Sequence, residues 1–174
     1  DYTASMLDEA RRNAGALASR ICFRQMNAEE LSFEAASFDV LVTRNVTWNL
    51  HEPEKAYAQW TRVLKPGGVL LNFDANWDEA AQTAHAQDRA NLLDSDVRDE
   101  TAGTDVSAME AIARQAPLSS RQRPAWDLDV LHGLGMQAAA DTEVWKQVWT
   151  KEERINNAST PMFLVEARKC PLLQ

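Results

Sequence analysis

The residue types that most often carry chemistry are here spaced in ways that exclude more than they suggest. His51, His85 and His132 stand far apart and no His-Glu-x-x-His spacing occurs, so a histidine-held metal has no support. Cys22 and Cys170 are the only cysteines, too few for a disulfide framework or a multi-cysteine zinc site. Glu29 and Glu30 lie in a loop of acids and small residues, a pattern that reads as a solvated face rather than as catalytic carboxylates. Arg121 and Arg123 fall in a basic, irregular stretch, where a solvated linker is the stronger reading and contact with an anionic substrate the weaker. The close glycine pairs, Gly67-Gly68 and Gly133/Gly135, both belong to helix ends and not to a phosphate-cradling loop.

The elements that must position any site follow from periodicity. Residues 3 to 18 read as a helix with Thr3 as N-cap, because Met6, Leu7, Ala10, Ala14 and Leu17 recur at mostly helical steps. Ile21–Met26 is a short strand candidate. Phe38–Thr43 is a nearly continuous apolar run, the pattern of a strand covered on both faces. Pro53 opens a helix that carries Ala56, Tyr57, Trp60, Val63 and Leu64 on one side, and Lys65-Pro66-Gly67-Gly68 turns the chain into a second apolar strand, Val69–Phe73. Strand, helix and strand in this order predict a right-handed parallel crossover. Further on, 78–98, 106–115 and 127–132 are helix candidates, and 142–150 and 162–168 are strand candidates joined near Asn156-Asn157 into an antiparallel hairpin. Trp145 and Trp149 share strand parity there and face one side, and with Trp126 they read as structural. The class is α/β with a parallel core and an antiparallel edge.

Composition narrows the function. The chain has 174 residues, 45% of them hydrophobic, which is ordinary for one globular domain. Acids outnumber Lys and Arg by 26 to 18, for a net charge of -8, so no basic face is available to neutralise nucleic-acid phosphates or an anionic membrane. No run approaches the ~18 apolar residues of a membrane span. No stretch reads as a signal peptide, and a reducing cytoplasm is the expected compartment.

Four segments carry a resemblance: Asp1-Tyr2-Thr3-Ala4-Ser5-Met6-Leu7, Asn27-Ala28-Glu29-Glu30-Leu31-Ser32-Phe33, Ser37-Phe38-Asp39-Val40-Leu41-Val42-Thr43-Arg44-Asn45, and Arg62-Val63-Leu64-Lys65-Pro66-Gly67-Gly68. In order and spacing they resemble class I S-adenosylmethionine-dependent methyltransferases of the small-molecule, ubiquinone/menaquinone type. The likeness covers residues 1 to about 77; beyond them only the order of elements agrees. It implies a doubly wound, Rossmann-like and mostly parallel sheet with an antiparallel C-terminal hairpin. The family's Gly-x-Gly-x-Gly loop is not in this sequence, so the first strands of the fold are expected to be absent from the chain and to belong before Asp1. Phe38–Thr43 is then expected as an open apolar edge. Residues 1–174 form one domain on this reading, with 78–125 as a helical insertion or substrate cap.

The resemblance also implies a site, beyond the carboxyl ends of the strands. Asp1 would accept hydrogen bonds from both ribose hydroxyls of S-adenosylmethionine, the alternative being a frayed terminal residue. Tyr2 would lie against the adenine or simply pack on its helix. Asn27 and Ala28 would read the adenine edge, or Asn27 would make an Asx turn. Arg44, Asn45 and Val46 would offer carbonyls to the cofactor's ammonium group, with a salt bridge as the competing role for Arg44. Trp48, His51, Asp74, Asn76 and Trp77 would rim the pocket of a small-molecule methyl acceptor. No catalytic residue is assigned: His51 is the one general base in reach, and methyl transfer can proceed through positioning and desolvation alone. Two other readings compete. One is an incomplete or inactive methyltransferase-like domain that serves as an interaction module or homodimer; the other, weaker, is a nicotinamide dehydrogenase, whose Gly-rich fingerprint is also missing.

Overall fold

The computed structural model describes residues 1–77, 84 and 106–171. Four strands form one sheet: β1 (Phe38–Arg44), β2 (Leu64–Asp74), β3 (Met136–Asp141) and β4 (Phe163–Lys169), in the order β1-β2-β4-β3. β1 and β2 are parallel, and β4 runs antiparallel to both β2 and β3. The expected crossover is present, with α2 (Pro53–Val63) between β1 and β2. Pro53 sits at its first turn, and Pro53, Ala56, Tyr57, Trp60 and Val63 are its buried residues, one stripe at helical spacing.

The Lys65–Gly68 turn lies inside β2 and not before it. Phe38 pairs with Leu64 and Val40 with Val69, so four residues are looped out opposite Asp39. Gly67 has a φ of +79°, and a Cβ on Gly68 would lie 2.9 Å from the Lys65 carbonyl oxygen. The looped residues leave the pleat in phase. Leu70, Asn72 and Asp74 point to the helix side and are fully buried, while Leu71 and Phe73 point to the other face. Tyr57, Trp60, Leu64, Leu70, Val165 and Leu131 of α4 (Ala125–Gly133) are the centre of the core. A smaller cluster of Val144, Trp149 and Met162, with Phe73 and Leu164, covers the opposite face.

Several expectations are corrected. Ile21–Met26 is not a strand; Met26 N–H donates to the Asp1 carbonyl (2.8 Å), the Asp1 amine to the Arg24 carbonyl (3.3 Å) and Gln25 Nε2 to the Tyr2 carbonyl (2.9 Å), so the segment lies alongside the first two residues without forming a ladder. With no strand described beside it, it has no ladder to join. β1 is not covered on both faces: Val40 and Val42 are 53% and 60% exposed, because no element among the described residues pairs with its outer edge. The hairpin strand before β4 is Met136–Asp141, whereas 142–150 turns and enters α5 (Trp145–Val148). Trp145 and Trp149 still share a side, with ring centroids 5.7 Å apart, through helical and not strand spacing. α6 (Lys151–Asn156) occupies the place of the expected polar turn. α1 (Ala4–Ala14) and α3 (Val106–Gln115) agree with their expected positions, and Thr3 is the N-cap residue of α1 without a capping side-chain bond. The helix expected over 78–98 lies outside the described residues but for Ala84.

Candidate functional site

The carboxyl ends of β1 and β2 set the geometry. After β1 the chain must leave the sheet, and Asn45 does so in the left-handed region (φ 55°), which asparagine tolerates better than most residues. Its N–H donates to the Phe73 carbonyl at 2.9 Å, tying the exit to β2. A single turn of 3-10 helix, Thr47–Asn49, follows. On the other wall, Trp60 Nε1 donates to the Ala28 carbonyl (3.0 Å), and Glu29 Oε1 accepts the Glu52 N–H (2.8 Å) at the start of α2. Glu29 is therefore no solvated acid. It is 7% exposed, with its carboxylate at the positive end of α2.

These anchors enclose an open cavity of about 1170 Å³. Asp1, Tyr2, Asn27 and Ala28 line one side, and Arg44, Asn45, Val46 and His51 the other. All seven residues expected at the cofactor, with His51, thus reach one space. Leu7, Cys22, Phe23, Leu41 and Asn49 line it too, none of them anticipated from the sequence. Several side chains already have local partners. Asp1 Oδ1 accepts from the Thr3 N–H (3.0 Å) and hydroxyl (3.2 Å). Asn27 Oδ1 accepts the Glu29 N–H at 3.0 Å, the Asx turn weighed for it. Arg44 Nη2 donates to Glu153 Oε1 at 2.7 Å, the salt bridge weighed for it. The Thr150 N–H, with Arg44, holds the Glu153 carboxyl below the usual carboxylate range.

Trp48, Asp74 and Trp77 do not line this cavity. The rings of Trp48 and Trp77 lie 5.8 Å apart, and Asp74 is fully buried, an interior group and not a rim residue. Asp74 Oδ2 accepts from Arg123 Nη1 (3.0 Å) and from the Trp48 N–H (3.0 Å). Arg123 is not on a solvated linker either: at 6% exposed it faces two carboxylates, Asp74 and Asp127. Burial pushes the Asp74 carboxyl up. Burial alone would pull the Arg123 guanidinium down, but the two carboxylates outweigh it and hold it above its usual value. The sequence carried two signals of this cluster: the i,i+4 spacing of Arg123 and Asp127, and a lone Asn72 within an apolar strand.

A bound S-adenosylmethionine can be tested against these residues. The cavity offers an acceptor carboxylate at Asp1, an aromatic side chain 72% exposed at Tyr2, and backbone at Ala28 and Asn45–Val46, the donor set an adenosine and an ammonium need. The adenosine part fits; a Gly-rich cradle for the methionine carboxylate is not in the sequence.

Comparison with known proteins agrees. Residues 1–72 match the family model described as a methyltransferase domain. The ubiquinone/menaquinone biosynthesis C-methyltransferase UbiE of Pseudoalteromonas translucida is 36% identical over 91 residues, covering 51% of this chain and 36% of that protein. The chain thus spans about a third of the length of the curated relatives it matches. Among solved structures, the YcgJ protein of Bacillus subtilis superimposes with a TM-score of 0.58 at 18% identity, over 98% of this chain and 80% of that one. Phosphoethanolamine N-methyltransferase 2 of Haemonchus contortus, solved with S-adenosylhomocysteine, gives 0.62 at 14% identity, over 98% and 42%. The first 72 residues are thus similar in sequence to methyltransferase domains, and nearly all of the chain is similar in fold to solved structures that include methyltransferases.

Proposed function

We propose that this protein serves S-adenosylmethionine-dependent methyl transfer to a small molecule, with the cavity beyond β1 and α1 as the cofactor site. The observation that carries the reading is the convergence of Asp1, Tyr2, Asn27, Ala28, Arg44, Asn45 and Val46 on one space from three separate stretches of chain. When bound, the cofactor supplies an electrophilic methyl group on sulfur. The chain's own part is to bind and orient: Asp1 takes the ribose hydroxyls, Tyr2 and Ala28 hold the adenine, and the Arg44–Val46 backbone faces the ammonium. Apolar Leu41 and Val46 exclude water nearby. On this reading residues 78–125 are a helical insertion or substrate cap. A cytoplasmic setting is consistent with Cys22 and Cys170 as exposed free thiols, and no described helix is long and apolar enough to cross a membrane.

Calorimetry with S-adenosylhomocysteine tests this. The unaltered chain should bind, and Asp1→Ala should weaken binding by about 1–3 kcal/mol, the loss of two charge-assisted hydrogen bonds. An equal dissociation constant for both would remove Asp1 from the site. The second reading, an interaction module that binds no cofactor alone, is favoured by the exposure of Val40 and Val42; it predicts no binding heat from the unaltered chain.

A further inference from the structure

Directly behind the cavity wall lies a closed ring of buried hydrogen bonds. Thr47 Oγ1 donates to Asn72 Oδ1 (3.1 Å), and Asn72 Nδ2 donates to the Tyr57 hydroxyl (2.8 Å). That hydroxyl donates to Asp127 Oδ1 (2.5 Å), and Arg123 grips Asp127 through Nε (3.0 Å) and Nη2 (2.7 Å). Arg123 Nη1 reaches Asp74 Oδ2, and the same oxygen takes the N–H of Trp48, the residue after Thr47. The ring closes there. Thr47, Asn72, Asp74 and Asp127 are all fully buried.

An apolar replacement of buried ions is often as stable or more so, so stability alone gives this ring little reason to exist. Its geometry supplies another. Two of its links end on residues 47 and 48, immediately after Asn45 and Val46 on the cavity wall. The third side of the ring comes from Arg123, 49 positions from Asp74 and outside the segment that matches the family model. We propose that Arg123 is a positioning residue of the cofactor site: through Asp74 it fixes the Trp48 amide and so the Asn45–Asn49 wall. This rests on the methyl-transfer reading above. A guanidinium is suited to the task because its planar fork serves two carboxylates in fixed directions, which an ammonium cannot do.

The test uses the full chain and Arg123→Lys, which keeps the charge and loses the fork. Two measurements are paired: hydrogen exchange of the Trp48 amide without ligand, and calorimetry with S-adenosylhomocysteine. The variant should exchange Trp48 about 10-fold faster while the β2 amides of Leu70 and Leu71 hold, and its dissociation constant should rise about 10-fold. A purely structural role would speed all these amides by one factor, and that result, or unchanged affinity in a folded variant, overturns the proposal. If Arg123→Lys does not fold, the near-isosteric Asp74→Asn carries the same pair of measurements. No binding by the unaltered chain overturns the cofactor reading. Selective Trp48 exchange would then still uphold Arg123 as the residue that orders the loop, and uniform exchange would overturn that as well.

Discussion

The Tyr57 hydroxyl has no water to turn to: it is fully buried and serves Asp127 as donor and Asn72 as acceptor. Tyr57→Phe leaves the Asn72 amide short of an acceptor, so it should lower unfolding free energy by about 1–3 kcal/mol, read from the urea midpoint. Burial first, and Asp127 second, push the phenol well above its ordinary value. A pKa raised in the folded state means stability present below the unfolded value near 10 and lost as pH climbs beyond it. The chain has two tyrosines, so in Tyr2→Phe the phenolate signal belongs to Tyr57 alone. It should rise together with loss of near-ultraviolet circular dichroism. A phenolate that forms while the fold persists would contradict the buried assignment. None of this was legible in the sequence, where Tyr57 reads only as one member of an apolar stripe.

At the scale of elements, the β1-α2-β2 crossover was legible because each piece has its own local cause. Apolar runs mark the strands, Pro53 marks the helix start, and a Pro-Gly-Gly turn marks the change of direction. The misassigned elements lack such causes. Met136–Asp141 reads Met-Gln-Ala-Ala-Ala-Asp, poor in β-formers, and is a strand because β4 offers it a partner. Val144, Trp145, Val148 and Trp149 fit strand alternation and a helical stripe about equally, and the packing of Val144, Trp145 and Trp149 around Met162 decides for the helix. The bulge inside β2 depends on Gly68, whose added Cβ would meet two backbone oxygens, at 2.9 Å from Lys65 and 3.1 Å from Asp39. Backbone cannot yield as a side-chain tip can. Gly68→Ala should therefore cost about 1–3 kcal/mol in denaturant titrations.

For the molecule as a whole, the site was more legible than its supports. The cavity wall comes from residues 1–63, and motif order placed the candidates within its first 51. The ring behind it bonds Arg123 and Asp127 to residues up to 70 positions away, and sequence spacing alone does not connect polar groups over that distance. The open edge of β1 has a collective consequence. Val40 and Val42 are exposed on a strand whose outer edge is unpaired among the described residues, a combination that favours association between copies. A net charge of -8 opposes it. Sedimentation should thus show mass above 19.5 kDa as concentration rises, more so as added salt screens the repulsion. Val42→Lys should restore the monomer mass; an unchanged distribution would clear this edge of any part in assembly.

Lys169 gives the chain an order in time. Its ammonium donates to the carbonyls of Thr61 (2.8 Å), in the last turn of α2, and Leu64 (2.7 Å), where β2 begins, from 108 and 105 residues away. β2 likewise waits for β4 to pair its second edge. A ribosome that has delivered the crossover has therefore made a β2 with one edge still open and a helix with a frayed final turn. Both are completed only by residues about 100 positions further along the chain. Contacts so distant in sequence close slowly. Until they close, the growing chain exposes the apolar surface that the finished sheet hides.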